Sequence, residues 1–442
     1  MTRTITSGIR TLRGAVIGSI LRLSTVMLFV GLVSDPASAN ADDMVLKWND
    51  LAARTAVATS PFNQARVMAI VQLSVFEAVN AITGDYEPYL NPATTAPAGA
   101  SVDAAVIIAA HKALTTYFPP ATFPAQNLVL NAARDLDLGA IPTGPAKTAG
   151  MEVGLAAANA MIALRATDGS APLTTIIPSS TLAGDYQLTT GCGAGMFYNW
   201  QNVTPFGIPD ATAFLLTPPP SLGSQQYAKD YYEVMTVGSS SSTDFPEVRA
   251  EVVRLYAASS PTFVLSMATR QISTAKGLSL SENARALALI MMGVNDSLVA
   301  SFYNKYHYNL WRPETGIRNG SSDDNAKTNG DPGFATFIAT PCFPSYPSNH
   351  ASGTGGGLEV MRRLFGAAGH DITITNNVPA LGSLPATTIT RHYSQLKAIA
   401  DDVDDARVYG GIHWRFDQTS GGVLGRAIAT AVVKNNLRPV HP

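Results

Sequence analysis

Long segments of helical hydrophobic periodicity are the feature of this sequence that most restricts its fold. Apolar residues recur at helical spacing over 64–82, 102–118, 146–166 and 282–311. Ser281 is the predicted N-cap of the last segment. Alternating strand patterns are scarce, and the Pro-, Thr- and Gly-rich stretch 171–223 is predicted to be a long irregular connection. The sequence therefore predicts an all-α protein of two packed helical bundles.

The division into two bundles rests on one linker candidate. The chain has 442 residues, enough for one large or two modest domains. The stretch "VGSSSSTDFP" at 237–246 has the composition of a linker. We therefore predict an N-terminal bundle at 40–236, which includes the irregular connection, and a C-terminal bundle at 247–442 that holds the active site.

The first 39 residues have the pattern of a secretory signal peptide. Four arginines precede or flank the apolar run 23–33, and "ASA" at 37–39 fits a cleavage site. The run is shorter than the roughly 20 residues that a membrane span needs, and no later stretch is expected to span. We expect a soluble periplasmic or secreted protein, in which Cys192 and Cys342 either pair or stay free.

Local polar clusters, rather than overall charge, indicate what the chain binds. The formal net charge is −2, which gives no basic field for nucleic acid, so any anion site must be built locally. The segment "FPSYPSNHASGTGGG" at 343–357 is one such place. Ser348 suits a helix N-cap, and the helix beginning there would aim free backbone N–H groups at an anion. His350 would stand beside that anion with a proton to give or take.

Two further segments add positive charge. In "KYHYNLWRP", Lys305 and Arg312 are seven residues apart, which places them on one helix face, and Pro313 is expected to end that helix. In "ARVYGGIHWRFD", Arg407 precedes His413 by six residues. A lone pair of cations is usually solvated and a lone histidine is usually structural, so the inference depends on the three segments meeting.

We expect these segments to close around one small tetrahedral oxyanion. Three fixed cations and a serine hydroxyl match an anion with two or more negative charges. Two histidines on opposite sides could divide the chemistry: one bonds to the central atom as ligand or nucleophile, and the other is the general acid–base. Asp417 lies one helical turn beyond His413.

The three segments resemble the motif set shared by vanadium-dependent haloperoxidases and type-2 phosphatidic acid phosphatases. That set is Lys-x6-Arg-Pro, Pro-Ser-Gly-His and Ser-Arg-x5-His, and this sequence has "KYHYNLWRP", "PSNH" and "ARVYGGIH" in the same order. The longer stretches "WRPETGIR", "FPSYPSNHA" and "GIHWRFD" look like the chloroperoxidase branch and its bacterial relatives. Upstream, "ARVMAIVQLSVFEAVNAI" looks like the N-terminal bundle of the bacterial members.

The resemblance implies a role for each charged residue. His413 would be the axial ligand of one vanadate per chain, or the phosphohistidine nucleophile of a phosphatase. His350 would be the acid–base group. Lys305, Arg312 and Arg407 would neutralise the equatorial oxygens of the oxyanion, and Lys305 would also be catalytic by polarising bound peroxide.

The remaining positions include two departures from the family pattern. Ser348 would donate its hydroxyl and residue 349 its backbone N–H, but Asn349 stands where the family has glycine. If that position needs a positive φ, asparagine tolerates it, and its side chain would narrow the mouth of the site. Ala406 replaces the family serine. Phe343 and Trp311 are predicted to line the halide pocket, Phe343 matching an apolar residue of the chloro-type pocket.

The resemblance implies oxidation of halide by hydrogen peroxide to hypohalous acid, which would halogenate a small organic substrate. Charge alone does not separate this activity from that of an exported acid phosphatase, because vanadate and phosphate are near-isosteres. A non-catalytic oxyanion-binding protein is the third alternative, and Asn349 is its one support. The halide and the oligomeric state stay open.

Overall fold

A computed structural model describes residues 43–440 of the chain, and helices dominate them. The α-helices are α1 (Met44–Ala56), α2 (Pro61–Thr83), α3 (Val102–Tyr117), α4 (Pro124–Ala140), α5 (Pro145–Leu164), α6 (Gln225–Val237), α7 (Pro246–Val248), α8 (Arg254–Ala258), α9 (Pro261–Lys276), α10 (Leu280–Tyr308), α11 (Pro313–Arg318), α12 (Asn349–Phe365), α13 (Leu396–Val408) and α14 (Arg415–Asn435). A π-helical segment, Arg249–Val253, joins α7 to α8. The predicted helical class is confirmed, and the predicted signal peptide lies outside the described residues.

A β-hairpin is the one sheet among residues 43–440, and the sequence reasoning missed it. Strands β1 (Ala368–Val378) and β2 (Thr387–Gln395) pair antiparallel, with Ile372 opposite Tyr393 and Ile374 opposite Arg391. Ile372 and Ile374 are buried while the residues between and beside them are more exposed, the alternation expected of a half-buried strand. The hairpin packs against α9.

The longest helix, α10, lies at the centre of the fold and packs against α2, α12 and α14. Its N-cap is Ser279 rather than the predicted Ser281. The Ser279 hydroxyl accepts from the Glu282 N–H, and the Glu282 carboxylate accepts from the Ser279 N–H. This reciprocal capping box satisfies two free N–H groups of the first turn, so the helix begins two residues earlier than expected.

We expected no stretch after the signal peptide to be long and apolar enough to cross a membrane, and two core helices show that this is wrong. By length and composition α2 and α10 both qualify. However, 89% and 94% of their apolar windows are buried inside the protein. Helices that are apolar on all sides are typical of the core of a large protein.

One hydrophobic core extends through both predicted bundles. It includes residues of α2, α3 and α5 together with residues of α9, α10, α12 and α14. The proposed linker at 237–246 contains the last residue of α6 and the first residue of α7. The division into domains at 40–236 and 247–442 stays a prediction.

Glycines allow α12 to pack closely against its neighbours. A Cβ atom on Gly356 would overlap with Ser297 Oγ of α10, and one on Gly425 of α14 would overlap with the Ser352 carbonyl oxygen of α12. Glycine removes this obstacle because it has no Cβ. The close contacts fix the position of the α12 N-terminus, where the "PSNH" segment lies.

The stretch 171–223 is irregular, as predicted, apart from the short 3₁₀ helices Tyr198–Asn202 and Ala211–Phe214. Cys192 and Cys342 form a disulfide, so they are not free thiols. The Met196 N–H also donates to the Cys342 carbonyl oxygen at 2.7 Å. The disulfide and this hydrogen bond attach the irregular connection to the segment that precedes α12.

Candidate active site

The end of α10 differs from the sequence prediction in a way that shapes the site. Asn309 ends the helix in the left-handed conformation, with φ of 48°, so α10 does not extend to Trp311. Pro313 begins α11 instead of ending α10, and Arg312 is the extended residue before it. Proline suits the first helical turn because its missing N–H would have no partner there. Lys305 and Arg312 therefore do not share a helix face.

Lys305 lies in the last turn of α10 and is fully buried. Its Nζ donates to the carbonyl oxygens of Pro344 and Ser345 at 2.9 and 2.7 Å. It also lies 5.3 Å from the centroid of the Phe343 ring. These contacts hold the ammonium group against residues 343–345, which lead into α12.

Arg312 is also fully buried and joins two of the predicted segments. Its Nε donates to the Phe343 carbonyl oxygen at 2.7 Å. Its Nη1 donates to the Ile412 carbonyl oxygen at 2.9 Å and to His413 Nε2 at 3.0 Å. Its Nη2 has no partner among the described residues.

The start of α12 confirms Ser348 as an N-cap. The Ser348 Oγ accepts from the Ala351 N–H at 3.3 Å, and the Ser348 N–H donates to the Asp417 carbonyl oxygen at 3.0 Å. Asn349 is the first helical residue and has no positive φ. The conformational freedom of the family glycine is therefore not needed at this position.

His413 is held as a neutral imidazole with a known tautomer. Its Nε2 accepts from Arg312 Nη1, and arginine is only a donor, so Nε2 has the lone pair and Nδ1 has the proton. Nδ1 donates to Asp417 Oδ2 at 2.8 Å. The same oxygen accepts from Ser345 Oγ at 2.6 Å and from the Trp414 N–H at 3.1 Å. Asp417, to which the sequence analysis gave no role, thus orients His413; the signal was its i,i+4 spacing.

Tyr256, which was not predicted from the sequence, lies beside both Arg407 and His350. Its carbonyl oxygen accepts from Arg407 Nη1 at 3.3 Å, and the same backbone acts to raise the pKa of His350 against the larger lowering by burial. Arg407 is 5% exposed, and its Nε has no partner among the described residues. His350 is partly buried. The six residues of the predicted constellation are therefore brought together.

Both histidines are kept uncharged by their surroundings. Burial, followed by the charges of Arg312, Lys305 and Arg407, holds the pKa of His413 well below its ordinary value. Burial, followed by the charges of Arg407 and Lys305, does the same to the pKa of His350. Because the same cations act on both rings, the electrostatics also indicate that these groups share one site.

The cations have little negative charge to balance them. Burial, then the charge of Arg312, lowers the pKa of Lys305, and burial lowers the pKa of Arg312 to about 10. Burial, then the charge of Arg312, lowers the pKa of Arg407 to about 9. Burial raises the pKa of Asp417 to about 7. The charge of Asp417 partly offsets the lowering of the pKa of Lys305 and Arg312, but no carboxylate among the described residues does so for Arg407.

A cavity of about 510 Å³ opens onto these groups. Asn349, His350, Arg407 and His413 lie in its lining, and most of the remaining lining is apolar. Side chains from both halves of the chain form the apolar wall, among them Phe62, Met196, Phe197, Leu298, Ile338 and Phe343. The chemistry was predicted to lie in the C-terminal half, and the N-terminal contribution was not predicted.

The two predicted pocket residues have different outcomes. Phe343 lines the cavity, and its ring centroid lies 4.9 Å from Arg312 Cζ. Trp311 is not part of that lining, which corrects the prediction. Since α10 ends before it, Trp311 turns into a buried aromatic cluster with Tyr227 and Trp414, and its carbonyl oxygen accepts from Trp414 Nε1 at 3.3 Å.

Comparisons with known proteins identify the class to which this fold belongs. The crystal structure of the first bacterial vanadium-dependent iodoperoxidase matches with a TM-score of 0.68 at 19% identity, over 90% of this chain and 97% of that one. The holo form of a bacterial vanadium-dependent chloroperoxidase matches with a TM-score of 0.68 at 14% identity, over 86% and 93% of the two chains. The fold is that of the vanadium-dependent haloperoxidases.

The sequence matches narrow this class. The family model described as the VCPO second helical-bundle domain matches residues 285–442. The vanadium chloroperoxidase of Curvularia inaequalis is 26% identical over 173 residues, which are 30% of this chain and 28% of that protein's length. Residues 285–442 therefore belong to the family of the vanadium chloroperoxidase second helical-bundle domain, and the resemblance drawn from the three motifs is confirmed.

Proposed function

We propose that this chain is a vanadium-dependent haloperoxidase that oxidises a halide with hydrogen peroxide to hypohalous acid. The observation that supports this most is the buried group of Lys305, Arg312 and Arg407 beside two uncharged histidines. Buried cations without a full complement of carboxylates are costly, so the site is built for an anion. The family relation supports vanadate as that anion.

The residues present fit a tetrahedral oxyanion. Arg312 Nη2 and Arg407 Nε are buried donors without partners among the described residues. The Ser348 hydroxyl accepts from the Ala351 N–H and keeps its own hydrogen to donate. The N-terminus of α12 adds free backbone N–H groups and the positive end of the helix dipole. An oxyanion would satisfy these donors and reduce the excess of positive charge.

The proposed chemistry assigns a task to each residue. When bound, vanadate supplies Lewis-acid activation of hydrogen peroxide toward attack by a halide. His413 would hold it through the Nε2 lone pair, while Asp417 keeps the proton on Nδ1. Lys305 and Arg407 would neutralise its oxygens. Oxidation of a halide to hypohalous acid consumes one proton and forms water, and His350 would hold and deliver that proton.

The cavity and the disulfide support the other parts of the proposal. A largely apolar space of about 510 Å³ admits peroxide, a halide and a small organic compound that the hypohalous acid would halogenate. The Cys192–Cys342 disulfide supports an exported protein, because such bonds persist in oxidising compartments.

An acid phosphatase is the second candidate, favoured by the same geometry of His413. A neutral imidazole that has its lone pair on Nε2, where it accepts from Arg312 Nη1, and an oriented Nδ1–H is also what a phosphohistidine nucleophile needs. In that case the cations would stabilise phosphoryl transfer, and His350 would protonate the leaving alcohol.

One set of assays separates the candidates. Vanadate-free protein is titrated with orthovanadate and assayed for chloride, bromide and iodide oxidation by peroxide, with phosphate as competitor. Halide oxidation that requires vanadate and is lost in His350→Ala supports the proposal. The matched control is His111→Ala in α3, which lies outside the cavity lining and should retain activity. Turnover of p-nitrophenyl phosphate alone indicates the phosphatase, and oxyanion binding without any turnover indicates a binding protein.

A further inference from the structure

We propose that the side-chain amide of Asn349 is an additional hydrogen-bond donor to the bound oxyanion. This inference rests on the proposed function, because it concerns the same site. It assigns a role to the residue that departs from the family pattern, where glycine offers only its backbone N–H. The predicted effect of this side chain is therefore tighter binding, in addition to a narrower mouth.

The orientation of the amide is set by a neighbouring helix. The Ser301 Oγ of α10 donates to Asn349 Oδ1 at 2.6 Å. Ser301 is fully buried, and Asn349 is 4% exposed. With Oδ1 bound to α10, the other end of the amide, Nδ2, has no partner among the described residues. A buried amide that is satisfied on one side only is costly to maintain.

The place of this unsatisfied donor indicates its partner. Asn349 lines the cavity together with His350, Arg407 and His413. Two other donors of the site, Arg312 Nη2 and Arg407 Nε, are buried and unpartnered in the same way. An oxyanion that accepts from the arginines thus has oxygen lone pairs available to an adjacent N–H group.

The backbone does not explain why this residue is asparagine. Asn349 is the first residue of α12 and has no positive φ, so neither glycine nor asparagine is required for conformational reasons. Asn49 Nδ2 is also buried and unpartnered, but Asn49 does not line this cavity, whereas Asn349 does. We therefore assign the unpartnered Nδ2 of Asn349 to what enters the cavity.

The test compares variants that separate the donor from its volume. Asn349→Leu keeps a similar size without a donor, and Asn349→Gly removes both. Orthovanadate and inorganic phosphate are titrated by isothermal calorimetry, and circular dichroism verifies the fold. We expect both variants to bind each oxyanion about tenfold more weakly than wild type, as for the loss of one hydrogen bond to a charged acceptor. If Asn349 acts only by size, Asn349→Gly binds as well as wild type or better, and the proposal is wrong.

Two further variants keep the test decisive. Ser301→Ala frees Asn349 to rotate and should weaken binding several-fold. Ser297→Ala, whose hydroxyl donates to the Gly293 carbonyl oxygen one turn earlier on α10, is the matched control and should leave affinity unchanged. Should Asn349→Leu fail to fold, Asn349→Gly and Ser301→Ala still test the donor, because both should weaken oxyanion binding.

The outcomes distinguish this inference from the proposed function. If wild type binds oxyanions and Asn349→Leu binds equally well, the inference fails and the haloperoxidase proposal stands. If Asn349→Leu binds more weakly but vanadate-loaded wild type oxidises no halide, the inference stands and the haloperoxidase proposal fails. If wild type binds neither oxyanion, both fail.

Discussion

Replacing Arg407 by methionine should stabilise the ligand-free protein and weaken its binding of vanadate. Arg407 is 5% exposed, its guanidinium makes one hydrogen bond of 3.3 Å to the Tyr256 carbonyl oxygen, and its Nε is unpartnered among the described residues. Burial, then the charge of Arg312, lowers its pKa from the ordinary 12.5 to about 9. The charge is therefore held in the folded protein at a cost.

The size of that cost follows from the pKa. A folded-state pKa of about 9 against 12.5 in the unfolded chain corresponds to about 5 kcal/mol. Because this folded-state pKa is lowered, the cost is fully present below about pH 9 and disappears as the pH rises toward the unfolded value. Methionine loses the hydrogen bond to Tyr256, worth about 1 kcal/mol. Replacing a buried ion pair by apolar side chains is often neutral or stabilising by about 1–4 kcal/mol. Since Arg407 has no carboxylate partner to lose, we expect a gain in that range.

The assay is urea denaturation with and without excess orthovanadate. Without ligand, Arg407→Met should unfold at higher urea than wild type. With ligand the stability difference between the variant and wild type should narrow or change sign, since a ligand stabilises a protein more when it binds the folded state more tightly. The reasoning is refuted if the ligand-free variant is less stable than wild type, or if vanadate stabilises both equally.

Arg66→Met is the matched control for this experiment. Arg66 is 6% exposed, similar to Arg407, but its Nε pairs with Asp168 Oδ2 at 2.7 Å. Removing one partner of a buried ion pair costs up to about 3–5 kcal/mol. Arg165 still contacts Asp168 at 3.2 Å and limits the loss. The same substitution should therefore destabilise at Arg66 and stabilise at Arg407.

Three further predictions concern the histidines and the disulfide. Asp417→Asn replaces the carboxylate that accepts the His413 Nδ1–H by a neutral amide, which is a weaker acceptor. It should lower vanadate affinity about 10–100-fold, while sulfate, which needs no bond to the imidazole, binds at least as well; calorimetry with both anions measures this. Sulfate binding near pH 6 should take up protons. The bound anion offsets the charges of the cations that lower the pKa of His350 and His413, so the pKa of both histidines should rise. Calorimetric titrations in buffers of different ionisation enthalpy detect the uptake, and a binding heat that does not depend on the buffer would contradict it. Replacing Cys192 and Cys342 by serine should lower the free energy of unfolding by about 2–4 kcal/mol, measured by urea denaturation under oxidising conditions.

The constellation of the site was predictable because its residues make physical sense only as a group. Lys305, Arg407 and His413 lie in separate short segments, and each alone has an ordinary structural explanation. Together they offer charge and proton transfer for a single anion. Arg407 and His413 line one cavity, and the charge of Lys305 helps to lower the pKa of His413. Ser348 was predictable from local chemistry alone, since an N-cap depends on the few residues that follow it.

Other features depended on geometry that local patterns do not specify. The end of α10 was missed because Tyr308 to Trp311 continue the apolar pattern, while the left-handed Asn309 ends the helix. Trp311 was consequently assigned to the wrong surroundings. The hairpin had a signal, the alternation of Ile372 and Ile374 with threonines, which the strong helical periodicity elsewhere outweighed. The apolar wall from residues near 62 and 196 depends on tertiary packing between distant segments.

The origin of that wall has a practical consequence for engineering. The cations, the histidines and Asn349 all follow residue 300, whereas Phe62, Met196 and Phe197 form part of the cavity wall from the N-terminal half. Mutagenesis libraries at these three positions would reshape this wall of the cavity without altering the charge balance around the anion. Under the proposed function, selectivity among organic molecules and halide oxidation would be open to separate optimisation.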